Sequence, residues 1–502
     1  MDSTMLLLCV VTFVIVGYFY AKKQYRYWAD RGIPYVKPKF LIGNLGGVGS
    51  SMHISEKLQD IYRELKGKEV FGGLFFLTNP TAIALDLDFL RNILVKDFQY
   101  FHDRGVYINE RDDPLSGHLF SLYGQKWKIM RAKLSPTFTS GKMKMMHSTI
   151  IAVAKEFEKV LEPFAAKQEQ IEMKEFLARF TTDVIGSCAF GIECNSLKEP
   201  DTEFGQVGKK LFDFKGLRVA KQFFLLTFPK ISKTLRMEIT DRDVAKFFMK
   251  LLRDTIDYRE KNNVKRNDFL SLMIQLKNTG KLEGDNVNLG QITFEELAAQ
   301  TFLFFIAGFE TSSSTMTFAL YELALNQDIQ DHVREEISSV LERHGGEFTY
   351  DACMELKYLE RVIKETLRKY PIVDNLLRVA TNDYQVPGTN HVLKKGMSVI
   401  VPVYAIQRDP EIYPNPERFD PDRFTEENIK NRHPYAWLPF GEGPRNCIGM
   451  RFGLMQTRVG LATIINKYRV NVTQKTPIPM SLNSRFAFVT PASGMWLKLE
   501  RL

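Results

Sequence analysis

The sequence predicts a mainly helical body with small β-sheets, of the α+β class, carried behind one N-terminal membrane-anchor helix. Three observations point there. Residues 5–21 are almost wholly apolar, helical periodicity dominates from about residue 123 to 370, and the segments that read as strands are short and lie on either side of that stretch. At 502 residues the chain exceeds the roughly 250–300 at which one hydrophobic core stops growing, so a large or subdivided body is expected. With 44% apolar and 25% charged residues the composition excludes wholesale disorder, collagen-like repeats and a polytopic membrane protein.

Taken in order, Met5 to Ala21 would form a helix about 25 Å long, close to the roughly 27 Å hydrocarbon thickness of an endoplasmic reticulum bilayer. A cleaved signal peptide is the alternative. It is disfavoured because no small-x-small site follows, Asp2 stands where a basic residue would, and Lys22, Lys23 and Arg26 come after the apolar run. Those cations place the N-terminus in the lumen and the body in the cytosol, and predict that the sequon Asn471-Val472-Thr473 stays unmodified. Residues 1–28 are thus anchor and flank. Residues 29–50 form a hinge with Pro34, Pro38 and the glycines Gly43, Gly46, Gly47 and Gly49, and 51–502 form the cytosolic domain. Residues 69–86 read as two strands around a turn at Asn79-Pro80. The helical region follows, with Pro163, Pro229 and Gly280 as breaks and Pro371 as its end. Beyond it lie strands at 398–403 and 486–490, an irregular stretch from Arg408 to Phe424, and a last helix after Cys447. Five irregularly spaced cysteines are a poor disulfide framework and suit a reducing compartment. No CxxC, CxxCH or HExxH occurs, so neither a structural zinc site nor a covalently attached c-type haem has support.

The most informative residues are Phe440-Gly-Glu-Gly-Pro-Arg-Asn-Cys-Ile-Gly449. A lone cysteine between glycines, with Arg445 two residues before it and a helix after it, has the surroundings of a metal-binding thiolate. Glycine lets backbone N–H groups approach the sulfur, and arginine and helix start lower the thiol pKa. For an isolated Gly-x-Cys-x-Gly a merely buried cysteine would be the better account. Here every fixed position of F-x-x-G-x-R-x-C-x-G is filled, and the chain resembles the cytochrome P-450 haem-thiolate monooxygenases. The stretches SPTFTSGKMK from Ser135 and GMSVIVPVYAIQRDPEIYPNPERFDPDRF from Gly396 look most like insect microsomal detoxification members. One departure is the hinge, where the family's proline run is reduced to Pro34 and Pro38.

The resemblance implies haem b with Cys447 as the axial iron ligand, and Phe440 and Gly449 as part of the haem-binding loop. Glu365-Thr-Leu-Arg368 alone would be a surface ion pair three residues apart on a helix. With Pro416-Glu-Arg418-Phe it implies a buried structural network of Glu365, Arg368 and Arg418. Ala307-Gly308-Phe309-Glu310-Thr311 follows an apolar run too short for a membrane span. On its own it reads as a core helix whose Gly308 and Thr311 can distort the ladder. The resemblance makes it the oxygen-binding turn, with Glu310 and Thr311 as the proton-delivery pair. Trp127-x-x-x-Arg131 spaces an indole and a guanidinium by one turn, and the resemblance implies a haem propionate there. Arg378 and Arg445 match further propionate arginines, and Arg104 is a looser candidate.

The formal charge is +9, and residues 126–144 hold Lys126, Lys128, Arg131, Lys133, Lys142 and Lys144 without an acid. A solvated face is the ordinary account and nucleic acid the reflex guess. The resemblance implies instead an NADPH-cytochrome reductase docking on that face, with cytochrome b5 as a further partner and a lipid bilayer at the anchor. The 38 phenylalanines suit a lipophilic substrate. Candidate contacts are Phe120, Leu122, Phe302, Phe305, Ile306, Ala307, Val373, Leu376, Phe486 and Phe488, with Asp374 and Asn375 as polar neighbours. The expected function is insertion of one oxygen atom from O2 into lipophilic xenobiotics, hormones or lipids at the endoplasmic reticulum. The competing readings are a reductase-independent isomerase or peroxygenase and a non-catalytic haem or lipophile carrier.

Overall fold

The computed structural model describes residues 3–211, 217–282 and 287–502. The chain divides into two compact units. One comprises residues 1–105, 373–413 and 433–446, and the other residues 106–372, 414–432 and 447–502.

The first unit is built on a four-stranded sheet in the order Phe71–Phe76, Asn79–Ala84, Ser398–Val401, Leu376–Val379. The central contact, Thr81 opposite Ser398, is parallel, and the outer pairs are antiparallel. Phe71 to Phe75 is buried without alternation, because both faces of this strand are covered. Trp28, fully buried, donates its indole N–H to the Leu74 carbonyl at 3.1 Å, so the segment after the first helix is sealed onto the sheet. The turn of the first hairpin falls at Leu77-Thr78 rather than at Asn79-Pro80. Leu77 takes the left-handed conformation, while Pro80 sits near the start of its strand, where a missing N–H is tolerated. Ser3–Gln24 is a helix of 22 residues. The apolar residues behind the anchor expectation fall mostly among side chains outside the described residues. Among the described residues, no helix is long and apolar enough to cross a membrane.

The second unit is helical around Phe294–Leu325, a 32-residue helix opened by a capping box in which Thr293 and Glu296 satisfy each other's backbone N–H groups. It packs against helices Met173–Ile185, Lys357–Lys369 and Met450–Lys467. A three-stranded antiparallel sheet, Gln170–Glu172, Trp496–Arg501, Tyr468–Val472, closes one side. Three further sequence expectations are corrected. The helix Ser140–Ala166 runs through Pro163, because a proline one turn from the end forfeits little of the ladder. Strand 398–403 stops at Val401 before Pro402. Residues 486–490 form no strand: the Asn483 N–H bonds to the Thr490 carbonyl, which turns the segment between them into a loop tip.

Candidate active site

In the second unit, Cys447 is exposed and stands three residues before the helix Met450–Lys467, whose free N–H groups favour negative charge at its start. Arg131, from helix Gly124–Leu134, lies within its electrostatic reach. Burial pushes the guanidinium pKa down, and negative charge on Cys447 opposes that shift. Trp127, one turn earlier on the same helix, is buried. Gly449 faces Phe138, so the cysteine loop and the segment after the Trp127 helix are neighbours.

On the long helix, Gly308 is required by close approach. A Cβ there would lie 2.3 Å from Ile185 Cδ1 of the neighbouring helix. Its carbonyl accepts a hydrogen bond from the Gln456 side chain at 3.3 Å, and Thr311 donates Oγ1–H to the Ala307 carbonyl at 2.5 Å. Side-chain bonds of this kind compete with the helical ladder at one turn. Ala307 is exposed in the middle of an otherwise buried helix, so this turn faces open space. Glu310 points elsewhere. It is buried, accepts from Ser314 Oγ at 3.0 Å and pairs with Lys174 at 3.1 Å, whose side chain is 25% exposed.

Glu365 and Arg368 form a fully buried two-point ion pair, with Nε–Oε2 at 2.7 Å and Nη2–Oε1 at 2.9 Å. The expectation for Arg418 is corrected. Its side chain is exposed, and it offers only its carbonyl, 3.5 Å from Arg368 Nη2. The second cation at Glu365 is Arg423, 3.5 Å from Oε1, and its Nη2 also donates to the carbonyls of Pro414 and Asn415. The physical reason is that residue 418 follows Asn415, which takes a left-handed turn, and points outward, whereas Arg423 sits in the short 3-10 helix that packs on Lys357–Lys369. Burial raises the Glu365 pKa, and Arg368 opposes it.

In the first unit, Arg378 on strand Leu376–Val379 is almost fully buried. Its Nη1 donates to its neighbour's carbonyl, Leu377 O, at 2.9 Å, and its Nε has no partner. Burial lowers its pKa to about 10. A buried guanidinium so placed fits a carboxylate such as a haem propionate. Arg445 is buried too, but donates to the His102 carbonyl at 2.7 Å and faces Asp103 at 3.6 Å, while Arg104 donates to the Arg445 carbonyl at 2.9 Å. Phe440 stacks edge-on to Trp437. Gly443 must be glycine: φ is +75° and a Cβ would lie 2.0 Å from the Leu94 carbonyl. Val373 and Leu376 are half-buried, with Leu376 against Gly441. Asp374 does not face solvent. It is buried 3.9 Å from His53, and burial raises its pKa to about 6.

A cavity of about 260 Å³ in the second unit is lined by Phe302, Ile306 and Phe488 among the expected substrate contacts. Two expectations are corrected. Phe305 is core, fully buried among Phe190, Phe204 and Phe248 with centroids 4.8–6.2 Å away, because its helical position turns it toward the neighbouring helices. Phe120 is 44% exposed, since the backbone turns at His118 and buries Leu119 and Leu122 instead. Phe486 is half-buried with Lys174 over its ring. Sequence reasoning missed Lys174, Arg423, Gln456 and the polar wall of the cavity, since nothing local marks a lone lysine or glutamine as a partner of a distant residue.

Residues 33–499 match the family model described as Cytochrome P450. Relatives include cytochrome P450 6a2 of Drosophila melanogaster, 48% identical over 97% of this chain and 97% of the relative. Cytochrome P450 6A1 of Musca domestica is 46% identical over 96% of this chain and 95% of the relative. Probable cytochrome P450 6a14 of Drosophila melanogaster is 44% identical over 97% and 98%. The chain belongs to the cytochrome P450 family, the haem monooxygenases. Its similarity is to the insect 6A-type members.

Two predictions follow from the geometry. Arg368→Ala should cost about 3–5 kcal/mol, by leaving Glu365 buried without its main partner. Arg423→Ala should cost less, and Arg418→Ala should leave the denaturation midpoint unchanged; equal effects of the last two in chemical denaturation would contradict the assignment. For Asp374 the raised pKa means that the folded state holds the proton more tightly than the unfolded chain. Its contribution is therefore whole below about pH 4 and lost as pH rises through about 6. Asp374→Asn, always neutral, should gain on the parent between pH 4 and 7 by about 1–3 kcal/mol in unfolding experiments across that range.

Proposed function

We propose that the chain is an endoplasmic reticulum monooxygenase that inserts one oxygen atom from O2 into lipophilic substrates, with electrons from an NADPH-cytochrome reductase. The observation that carries this reading is the exposed Cys447 at a helix start within electrostatic reach of Arg131. Haem b, when bound through that thiolate, supplies the activation of dioxygen. In the second unit Cys447 would hold the iron and Arg131, beside Trp127, would receive a carboxylate; in the first unit Arg378 would suit a carboxylate, with Arg104 and Arg445 supporting. Glu365 and Arg368 keep the fold around the cysteine. Thr311, its hydroxyl hydrogen held by the Ala307 carbonyl, orients water at the exposed Ala307 turn. Glu310, accepting from Ser314 and paired with the part-exposed Lys174, links the body of the helix to solvent.

The helix Ser3–Gln24 ends on Lys22 and Lys23, which suits a membrane anchor with the body in the cytosol. Phe40, Leu41 and Ile42 support the same placement. They are 46–60% exposed at the tip of a tight turn closed by Lys39 and Gly43, where they meet lipid at little cost. On the helix Gly124–Leu134, Lys126 and Lys128 are exposed and form the basic face offered to an acidic reductase.

Reduction under carbon monoxide should give a thiolate-type Soret band, which Cys447→Ala should abolish; a variant that keeps it would refute the ligand assignment. Replacing Lys126, Lys128, Lys133 and Lys142 together by glutamine should lower reductase-supported turnover and its salt dependence, with substrate-induced spin shifts intact. Unchanged reductase affinity would refute the docking face.

A further inference from the structure

We propose a second ligand site, apart from the cavity on the long helix, which takes a neutral molecule with an apolar body and a carboxamide group. It goes beyond the monooxygenase reading and needs none of that site's residues. The site is a cavity of about 320 Å³ within the second unit, at the lower end of the roughly 300–1,000 Å³ of small-molecule pockets. It shares no lining residue with the cavity on the long helix. Helix Ser140–Ala166, the end of helix Gln327–Arg343 with the loop after it, and the last turns of helix Met450–Lys467 enclose it. The loop creates the concavity. Gly345 and Gly346 both take positive φ and the Gly346 N–H returns to the Leu341 carbonyl at 2.8 Å, so the chain reverses and carries Glu347 and Phe348 back to the wall.

The buried part of the lining is Ala154, Leu341 and Thr463, and both threonine hydroxyls of the wall are already used. Thr463 donates to the Val459 carbonyl at 2.8 Å, and Thr349 accepts the Ala352 N–H at 3.0 Å. Asn466 differs. It is half-buried, and among the described residues its side-chain amide has no hydrogen-bond partner. That amide offers one acceptor and two donors, the complement of a carboxamide, which returns a donor and an acceptor in one plane. Charge does not favour an ion. The lining holds two lysines, Lys155 and Lys467, and two glutamates, Glu158 and Glu347, and Lys467 is paired with Glu158. An anionic or cationic ligand would surrender hydration to a lining without net charge, whereas an apolar body meets Ile151, Ala154, Leu341 and Phe348.

The test uses the full-length haem-loaded enzyme and three probes with one apolar body: cinnamamide, cinnamate and protonated cinnamylamine. Equilibrium dialysis counts all bound probe, and the Soret shift reports the part of it at the haem. Dialysis should find one saturable equivalent of cinnamamide that the Soret shift does not report. Ile151→Trp, which fills the cavity from a half-buried position, should abolish that equivalent and leave the Soret titration within about twofold. Asn466→Leu should weaken it about tenfold, equivalent to about 1.4 kcal/mol, with the same Soret titration. The two ions should bind there at least about tenfold more weakly than the amide. Absence of the extra equivalent, its survival unchanged in both variants, or equal affinity for amide and ions would overturn the proposal. Where Ile151→Trp does not fold, Asn466→Leu decides alone, since its loss of affinity is read against an unchanged Soret titration. Dialysis reads the site whether or not any probe shifts the Soret band, so failure of the monooxygenase reading leaves this outcome distinguishable.

Discussion

The buried pair of Glu365 and Arg368 is the interaction on which the second unit's irregular segment depends. Residues 414–432 contain only a 3-10 turn and a five-residue helix, so most of their backbone groups cannot be satisfied by regular structure. The pair and Arg423 supply what is missing. Arg368 binds the Pro416 carbonyl at 2.8 Å, Glu365 accepts the Asp420 N–H at 2.9 Å, and Arg423 takes the carbonyls of Pro414 and Asn415. Burying a carboxylate is costly, and burial does raise the Glu365 pKa. The cost is offset only because every partner is present at once. An ion pair of this kind adds little net stability compared with apolar packing, but it fixes one conformation for a segment that has no other means of choosing one.

The long helix solves a different problem, that of keeping polar side chains inside a core. Thr301, Thr315 and Thr317 each return their hydroxyl to the carbonyl four residues back, so a Ser/Thr-rich stretch is buried without orphaned groups. Thr311 does the same, but there the consequence differs. One turn away Gly308 has no side chain, and its carbonyl is claimed by Gln456 from outside the helix. Back-bonding that is harmless elsewhere coincides here with a close helix contact and an exposed Ala307. The exposure of this turn is thus a product of tertiary packing acting on an ordinary sequence habit, and Glu310, held by Lys174 and Ser314, stays within the body.

These cases show what was legible in the sequence. The helical body, the apolar run of the long helix and the final helix after Cys447 all follow from periodicity and local chemistry, which is why they appear where expected. The arginine at Glu365 does not. Pro416-Glu-Arg418-Phe and Pro421-Asp-Arg423-Phe are near copies five residues apart, and only the outward turn after Asn415 decides which guanidinium reaches the carboxylate. Phe305 was equally illegible, since adjacent phenylalanines on one helix differ in role only through which neighbours they meet. The cavity's polar wall is assembled from residues 210, 218, 221 and 241, which share no motif and acquire meaning only by proximity.

The net charge of +9 hides three distinct uses of buried arginine that only their partners separate. Arg368 is enclosed with a carboxylate and is a structural cation. Arg445 is enclosed with a carbonyl at 2.7 Å and a more distant Asp103, so part of its charge is compensated within the first unit. Arg378 is enclosed with one carbonyl from its own strand, and burial has moved its pKa down toward neutrality. A guanidinium does not deprotonate readily even so, and a fold that keeps one there bears a desolvation cost that its own residues do not offset. A bound carboxylate group relieves that cost. A carboxylate ligand would therefore act on stability directly at Arg378, whereas Arg368, whose partner belongs to the chain itself, acts through the fold it holds.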